Sequence, residues 1–427
     1  MQRPTNWARN VEFAAQRLHR PSSLDELRWI VGAAPHVRAL GTGHSFNRIA
    51  DTDGDLVSVA GLPAEAVIDP ERATVTVAAG MRYAEVADAL RGSGFALANL
   101  ASLPHISVAG AVATGTHGSG DALGSLATSV AGLRLVGPQG DLVELCRDAD
   151  ADAADFPGAV VGLGALGIVV EVTLDLVPSY EVSQYVYEGL NLATVAESFD
   201  EVFGSAYSVS VFTDWRTTDA MVWWKALAEQ DQADRDSSTA TGPGRLGATL
   251  APAARHPVPG MPAEYCSQQG GVPGPWNERL PHFRPEFTPS NGAELQSEFL
   301  LPRHAAGAAI SALRGLGPVL APVLQISEIR TVAADTLWLS PAYGRDTVAF
   351  HFTWIDDTAA VTPALAAMEE QLTGLGARPH WGKLFTTPLH QVAARYDHAS
   401  DFRRLLLAHD PDGKFRNAFV AEAFPEI

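Results

Sequence analysis

The residues of this chain best suited to chemistry fall in two glycine-rich stretches near the N-terminus and in a set of ionisable side chains nearer the C-terminus. The first stretch, Leu40-Gly41-Thr42-Gly43-His44-Ser45-Phe46-Asn47, sets one histidine among glycines directly after the apolar run Val37-Arg38-Ala39-Leu40. Glycine lacks the Cβ that keeps a backbone away from a ligand and readily adopts φ > 0, so successive N–H groups here can turn inward as a cradle for a phosphate. His44 then sits where it can meet the ligand itself; the plainer alternative is a histidine that only hydrogen-bonds within a turn. A second Gly/Ser/His-rich run, from Ala101 to Gly120, carries His105 and His117. Toward the C-terminus, Glu328 and Arg330 stand two residues apart, a spacing that puts both on one face of a strand, and Thr353 shares a face with His351 by the same rule. Charges on a strand are commonly solvated ion pairs, but the apolar Val323-Leu324-Gln325-Ile326 before Glu328 favours an inward-facing pair.

Other chemistries are disfavoured. Gly162-Leu163-Gly164-Ala165-Leu166-Gly167 matches the glycine pattern of a dinucleotide fold, which requires a helix next; the residues after it, Ile168 to Leu176, are β-branched and partly alternating, and read as a strand. Two cysteines, Cys146 and Cys266, make neither a disulfide framework nor a thiolate cluster, and the thirteen histidines show no zinc-binding spacing, so no metal is expected. A net charge of −19 argues against nucleic acid and anionic membrane surfaces as partners. The longest uncharged stretch, Phe95 to Ala113, is interrupted by Asn99, Pro104, His105 and Gly110 and reads as a buried loop, and the start Met1-Gln2-Arg3-Pro4-Thr5-Asn6-Trp7 has no apolar signal region. A cytoplasmic protein is expected, and nothing demands more than a monomer.

These residues need a scaffold to position them. The 427 residues exceed what one core usually serves, and 46% hydrophobic with 19% charged residues describes a globular chain. Strands are expected at 37–40, 56–59, 73–78, 131–136, 142–145 and 168–176, with helices starting at Ser23 and spanning 83–91, and Pro178 ends this α+β unit. From about Tyr180 the texture changes, with strand-like 207–212 and 221–224, a polar surface loop over 230–241, and a Pro/Gly-rich excursion from Thr241 to Trp276. The resulting division is 1–178, 179–378 and a tail, 379–427, that returns to the first unit.

Several of these segments together resemble a known family. Gly41 to Phe46, Ala101 to Gly110, Ala113 to Ser119 and Gly164 to Val169 resemble the FAD domain of the vanillyl-alcohol-oxidase (PCMH-type) superfamily of flavoproteins. Glu328-Ile329-Arg330-Thr331, Leu339 to Asp346, His351-Phe352-Thr353-Trp354 and His380-Trp381-Gly382-Lys383 look like the substrate-side motifs of bacterial alditol oxidases, and the resemblance runs from Thr5 to Val420. It implies an α+β architecture: a two-part FAD-binding domain with a mixed-sheet cap. It implies His44 bonded covalently to the flavin, the loop Gly41, Thr42, Gly43 and Ser45 around the pyrophosphate, and Ser102, Ser107, Gly110, Thr114, Gly115, Thr116, His117, Gly118, Ile168 and Val169 along the cofactor.

The implied reaction is hydride transfer from C1 of a polyol such as xylitol or sorbitol to flavin N5, giving the aldose, with O2 as acceptor and hydrogen peroxide as product. Such a reaction needs a base for the hydroxyl proton, a cation near the developing alkoxide and polar groups for the remaining hydroxyls. Lys383 and His351 are the candidates for the first two roles, undivided at this level, and Ser102, Glu328, Arg330, Thr353 and Lys383 for substrate binding. An aldonolactone oxidase or dehydrogenase, sharing His44, is the alternative; a flavin- or sugar-binding protein without turnover is the non-enzymatic one.

Overall fold

The computed structural model describes residues 3–149, 154–236, 242–287 and 293–425. In the first 178 residues, short β-branched runs build two small sheets. Arg17–His19, Asp55–Val57 and Val37–Ala39 form a parallel three-stranded sheet. Ala66–Asp69, Thr74–Ala78, Ile168–Asp175, Val130–Val136 and Leu142–Cys146 form an antiparallel five-stranded one. The segment after the Gly162–Gly167 turn is thus the central strand expected from its composition. The helix Leu24–Ala33 starts where Ser23 accepts the Glu26 N–H, a side-chain cap for an otherwise orphaned donor.

A sheet of nine strands dominates the second unit, beginning with Glu181–Asn191 and ending in Arg378–Pro379. Every ladder in it is antiparallel, so the expected mixed sheet is corrected. The reason lies in the connections. Helical crossovers join Glu181–Asn191 to Ser208–Thr213 and Glu294–Pro302 to Leu324–Val332, which run parallel but never touch. A third strand, Asp219–Leu227 or Thr347–Ile355, is inserted between each pair and runs antiparallel to both.

Alternation assigns the two faces of this sheet different work. Leu295, Phe299, Leu301, Ile329, Val348, Phe350, Phe352 and Trp354 are buried against the helices Leu192–Glu197, Ala306–Gly315 and Thr358–Thr373. The intervening residues Gln296, Glu298, Glu328, Arg330, His351 and Thr353 face a cavity shared with the first unit. The polar segment after Leu227 is a helix, Ala228–Asp236, where a loop was expected: alanine, glutamate, glutamine and arginine are good helix formers even without an apolar stripe. Residues 237–241 of that expected loop lie outside the described residues. No helix among the described residues is long and apolar enough to cross a membrane.

The tail returns as the helices Leu389–Ala393, Ala399–His409 and Ala418–Ala423, which sink Val392, Phe402, Leu406 and Val420 into the core of the first unit, with Phe415 added from the turn before the last helix. Arg38 locks this return. Its buried guanidinium donates to the carbonyls of Ile49, Leu163, Gly164 and Phe415, so one side chain ties the glycine turn and the tail to the strand that precedes the His44 loop. Arg38→Met would orphan four carbonyls, and a stability loss of at least roughly 3 kcal/mol is expected. A melting temperature within a degree of the parent would refute that role.

Candidate active site

Register creates the site. On three neighbouring strands, Glu328, His351 and Glu298 lie directly opposite one another, so two carboxylates flank one imidazole on the same face. In the next row Arg330 faces Ala349, and this small residue lets the guanidinium pass over the middle strand to pair with Glu298 on the far one. Lys383 arrives from the turn after the last strand and places Nζ 2.8 Å from the other Glu298 oxygen. The turn is held on three sides: the Trp381 indole donates to Leu339 O at 2.8 Å, His380 N donates to Glu298 O at 2.9 Å, and the Asn47 amide donates to the carbonyls of Trp381 and Lys383. Asn47 lies three residues past His44, so the glycine-rich loop and the lysine share one clamp.

Charge in this cluster balances. Glu298, Glu328, Arg330 and Lys383 carry two negative and two positive charges, and Glu298 is only 1% exposed. Burial alone would raise its pKa, but Arg330, Lys383 and His117, whose Nε2 is 3.3 Å away, hold it well below the usual carboxylate range. Burial likewise opposes the charge on Glu328, and Arg330 with His282 reverses the balance and lowers it. His351 is pushed well below its ordinary value by burial and then by Lys383. Its Nε2 faces Gln296 Oε1 at 3.1 Å, an acceptor, so the ring proton sits there and Nδ1 presents a lone pair 4.0 Å from Glu328 Oε2. Lys383 is lowered by burial, with Glu298 opposing the shift.

A cavity of about 680 Å³ runs from this cluster to the Gly41–Ser45 loop. Gly41, Thr42, Gly43, His44, Ser45, Ser102, Ser107, Gly110, Thr114, Thr116, His117 and Val169 line it. Gly115, Gly118 and Ile168 do not. A Cβ on Gly118 would strike Asn99 Oδ1 at 2.2 Å, and Gly115 packs against Pro341 with φ +67°; both are required by neighbouring protein. Ile168 points into the core because adjacent strand residues face opposite ways, leaving only Val169 for the cavity. His105 is not part of the lining and bonds Pro285 O instead. Glu298, Gln296 and His282 join the site without having been expected, and His380 enters it with the motif that it opens. The spacing Glu294-x-Gln296-x-Glu298 between Leu295 and Phe299 is the signal that points to the first two; His282 sits in irregular chain and has none.

The elongated, glycine-lined cavity fits FAD. A Cβ at Gly41 would lie 2.5 Å from Ser107 Oγ, so glycine there lets the two glycine-rich stretches pack together along the cavity wall. His44 stacks on Trp7, with centroids 5.1 Å apart, and its Nδ1 is 3.0 Å from Thr42 Oγ1. Burial pushes its pKa down to about 4, so the ring is neutral.

These features define an FAD-dependent oxidoreductase. A family model described as an FAD binding domain matches residues 15–145, and one described as D-arabinono-1,4-lactone oxidase matches residues 295–423. The cholesterol oxidase structure from B. sterolicum shares the fold, with a TM-score of 0.77 at 13% identity over 99% of this chain and 97% of that one. The chain is 49% identical over 422 residues to alditol oxidase of a Streptomyces species, covering 98% of each, and 27% identical over 442 residues to L-gulono-1,4-lactone dehydrogenase of Mycobacterium tuberculosis, covering 97% of each. It belongs to the alditol oxidase family.

Burying neutral histidines makes stability depend on pH. The folded pKa values of His282, about 4, and His380, about 3, lie below the roughly 6.5 of an unfolded histidine. The unfolded chain therefore binds more protons as pH falls, and the stabilisation present above about pH 6.5 is lost on descent toward the folded values. The melting temperature should drop progressively below about pH 6.5, with a shallower slope in His380→Asn. A level profile down to pH 4 would contradict the buried neutral assignments.

Proposed function

We propose that this protein is an alditol oxidase that carries FAD covalently on His44 and oxidises C1 of acyclic polyols such as xylitol and sorbitol to the aldose. The observation that carries this reading is the juxtaposition of a lone pair on His351 Nδ1, the Lys383 ammonium and the Glu328 carboxylate at one end of the FAD-sized cavity. When bound, FAD supplies the acceptor for the C1 hydride, and its reoxidation by O2 yields the hydrogen peroxide. Gly41, Thr42, Gly43, Ser45, Ser107, Gly110, Thr114 and Thr116 hold the cofactor, and the neutral imidazole of His44 is a competent nucleophile for the tether.

The protein's own groups divide the remaining work. Lys383 is bound to a permanently ionised Glu298, so it keeps its proton and donates a hydrogen bond to the oxygen that gains charge. His351, neutral and bare at Nδ1, takes the hydroxyl proton. Glu328 accepts from the next hydroxyl, and the Arg330 Nε–H, buried with no hydrogen-bond partner among the described residues, donates to another. Ser102 and Thr353 complete the hydroxyl contacts from opposite walls. A shorter polyol such as glycerol fills fewer of these positions and binds more weakly.

The sugar-lactone alternative draws on the match over residues 295–423. Oxygen uptake separates the two: xylitol or sorbitol should give peroxide equal to the oxygen consumed, and a sugar lactone should give little. The reverse preference would overturn the polyol assignment. Denatured protein should retain flavin fluorescence, and His44→Ala should lose it; flavin that stays attached in the variant would refute the tether. Lys383→Met should lower kcat about 10²- to 10³-fold at unchanged flavin content, whereas a loss confined to KM would reassign the lysine to binding.

A further inference from the structure

Behind Glu328 lies a second group of buried polar side chains that the reaction as described does not use. Lys225, on the strand Asp219–Leu227, is 1% exposed. Its Nζ meets three acceptors: the Leu280 carbonyl, the Pro281 carbonyl at 3.4 Å and His282 Nδ1 at 3.3 Å. Three acceptors match the three protons of an ammonium, which can only donate. Burial lowers the Lys225 pKa to about 7; with the ammonium form in place, Nδ1 of His282 is the bare acceptor. The ring proton resides on Nε2, which lies 2.7 Å from Glu328 Oε1 and donates to it. The opposite tautomer would set an N–H against the ammonium and a lone pair against the carboxylate. Edge-on contacts from Trp223 and Phe212, with centroids 5.0 and 5.5 Å away, hold the ring in its plane.

We propose that Lys225 and His282 are positioning residues that fix the orientation of Glu328, and through it the hydroxyl contacts of the polyol. With Oε1 engaged by His282, Oε2 is the oxygen left for substrate, on the side facing His351. Without the ammonium, His282 is free to protonate at Nδ1 and donate to the released carbonyls. Its Nε2 then presents a lone pair to Glu328, and the carboxylate turns away. This inference rests on the reading of Glu328 as a polyol ligand.

The test is a double-mutant cycle on the flavin-loaded enzyme. Lys225→Met orphans two buried carbonyls and should melt lower than the parent; assayed at a temperature where it is folded, it should keep its flavin content and raise KM for xylitol about ten-fold, the worth of one charge-assisted hydrogen bond, with kcat within three-fold. In a Glu328→Gln background the same change should add less than two-fold. An unchanged KM in Lys225→Met, or an undiminished increase in the double variant, overturns the proposal. Independently of how Lys225→Met folds, 15N-histidine spectra of the parent enzyme, with His282 assigned by its loss in His282→Gln, should show a protonated Nε2 and a bare Nδ1. A proton on Nδ1 overturns the relay. If Glu328→Gln alone leaves KM unchanged while the spectra show the expected tautomer, the polyol-ligand role of Glu328 is what has failed.

Discussion

A carboxylate sealed from water must be paired, and Glu298 is where this molecule meets that demand. Leaving one partner out of a buried ion cluster costs roughly 3–5 kcal/mol, so the structure is committed to delivering Arg330, Lys383 and the His117 ring to one side chain. Those groups come from the cap sheet, the returning tail and the flavin-side unit respectively. One ionised oxygen pair thus makes closure of the cavity and docking of the tail a single event. The same balance bears on substrate choice. A cluster with equal positive and negative charge has no surplus cation for an acidic sugar, whereas a neutral polyol adds only donors and acceptors.

The sheet makes this possible through its two-sidedness. Phe350 and Phe352 anchor one face against helices while His351, between them, faces the cavity; a slip of one residue would exchange the two sets and destroy core and site together. Ala349 matters in the same way. It is the low point over which Arg330 reaches Glu298 two strands away.

Legibility in the sequence depends on how local each signal is. The glycines around His44 announce a close-approach loop by themselves, and the β-branched run after Gly167 announces a strand, so both were legible without neighbours. Glu328 and Arg330 share a face by period-two spacing alone. Lys383 was visible only through family resemblance, because its significance comes from a partner on a distant strand. Glu298 was not seen for the same reason: its partners at 117, 330 and 383 converge only in three dimensions. The antiparallel ladders escaped notice because strand insertion is a property of the sheet order. Gly115 and Gly118 were over-read because a glycine demanded by packing looks, in sequence, like one demanded by a ligand.

The stretch 242–287 poses the reverse difficulty: it joins the sheet only through the short strands Thr249–Leu250 and Gly274–Pro275, and the chain around them must still satisfy its buried carbonyls. Side chains from the sheet and from the stretch itself do so. Gln184 donates to the carbonyls of Ser267 and Gln268, Arg279 to Val272 and Pro273, Arg284 to Cys266, and Lys225 to Leu280 and Pro281. The lysine that secures this roof is also the one that orders His282 against Glu328. On the proposed relay, substrate recognition and the folding of the roof draw on one ammonium group. Under the proposed relay, a substitution at Lys225 that frees the loop would also release the carboxylate, whereas one at Gln184, Arg279 or Arg284 loosens the stretch without touching it.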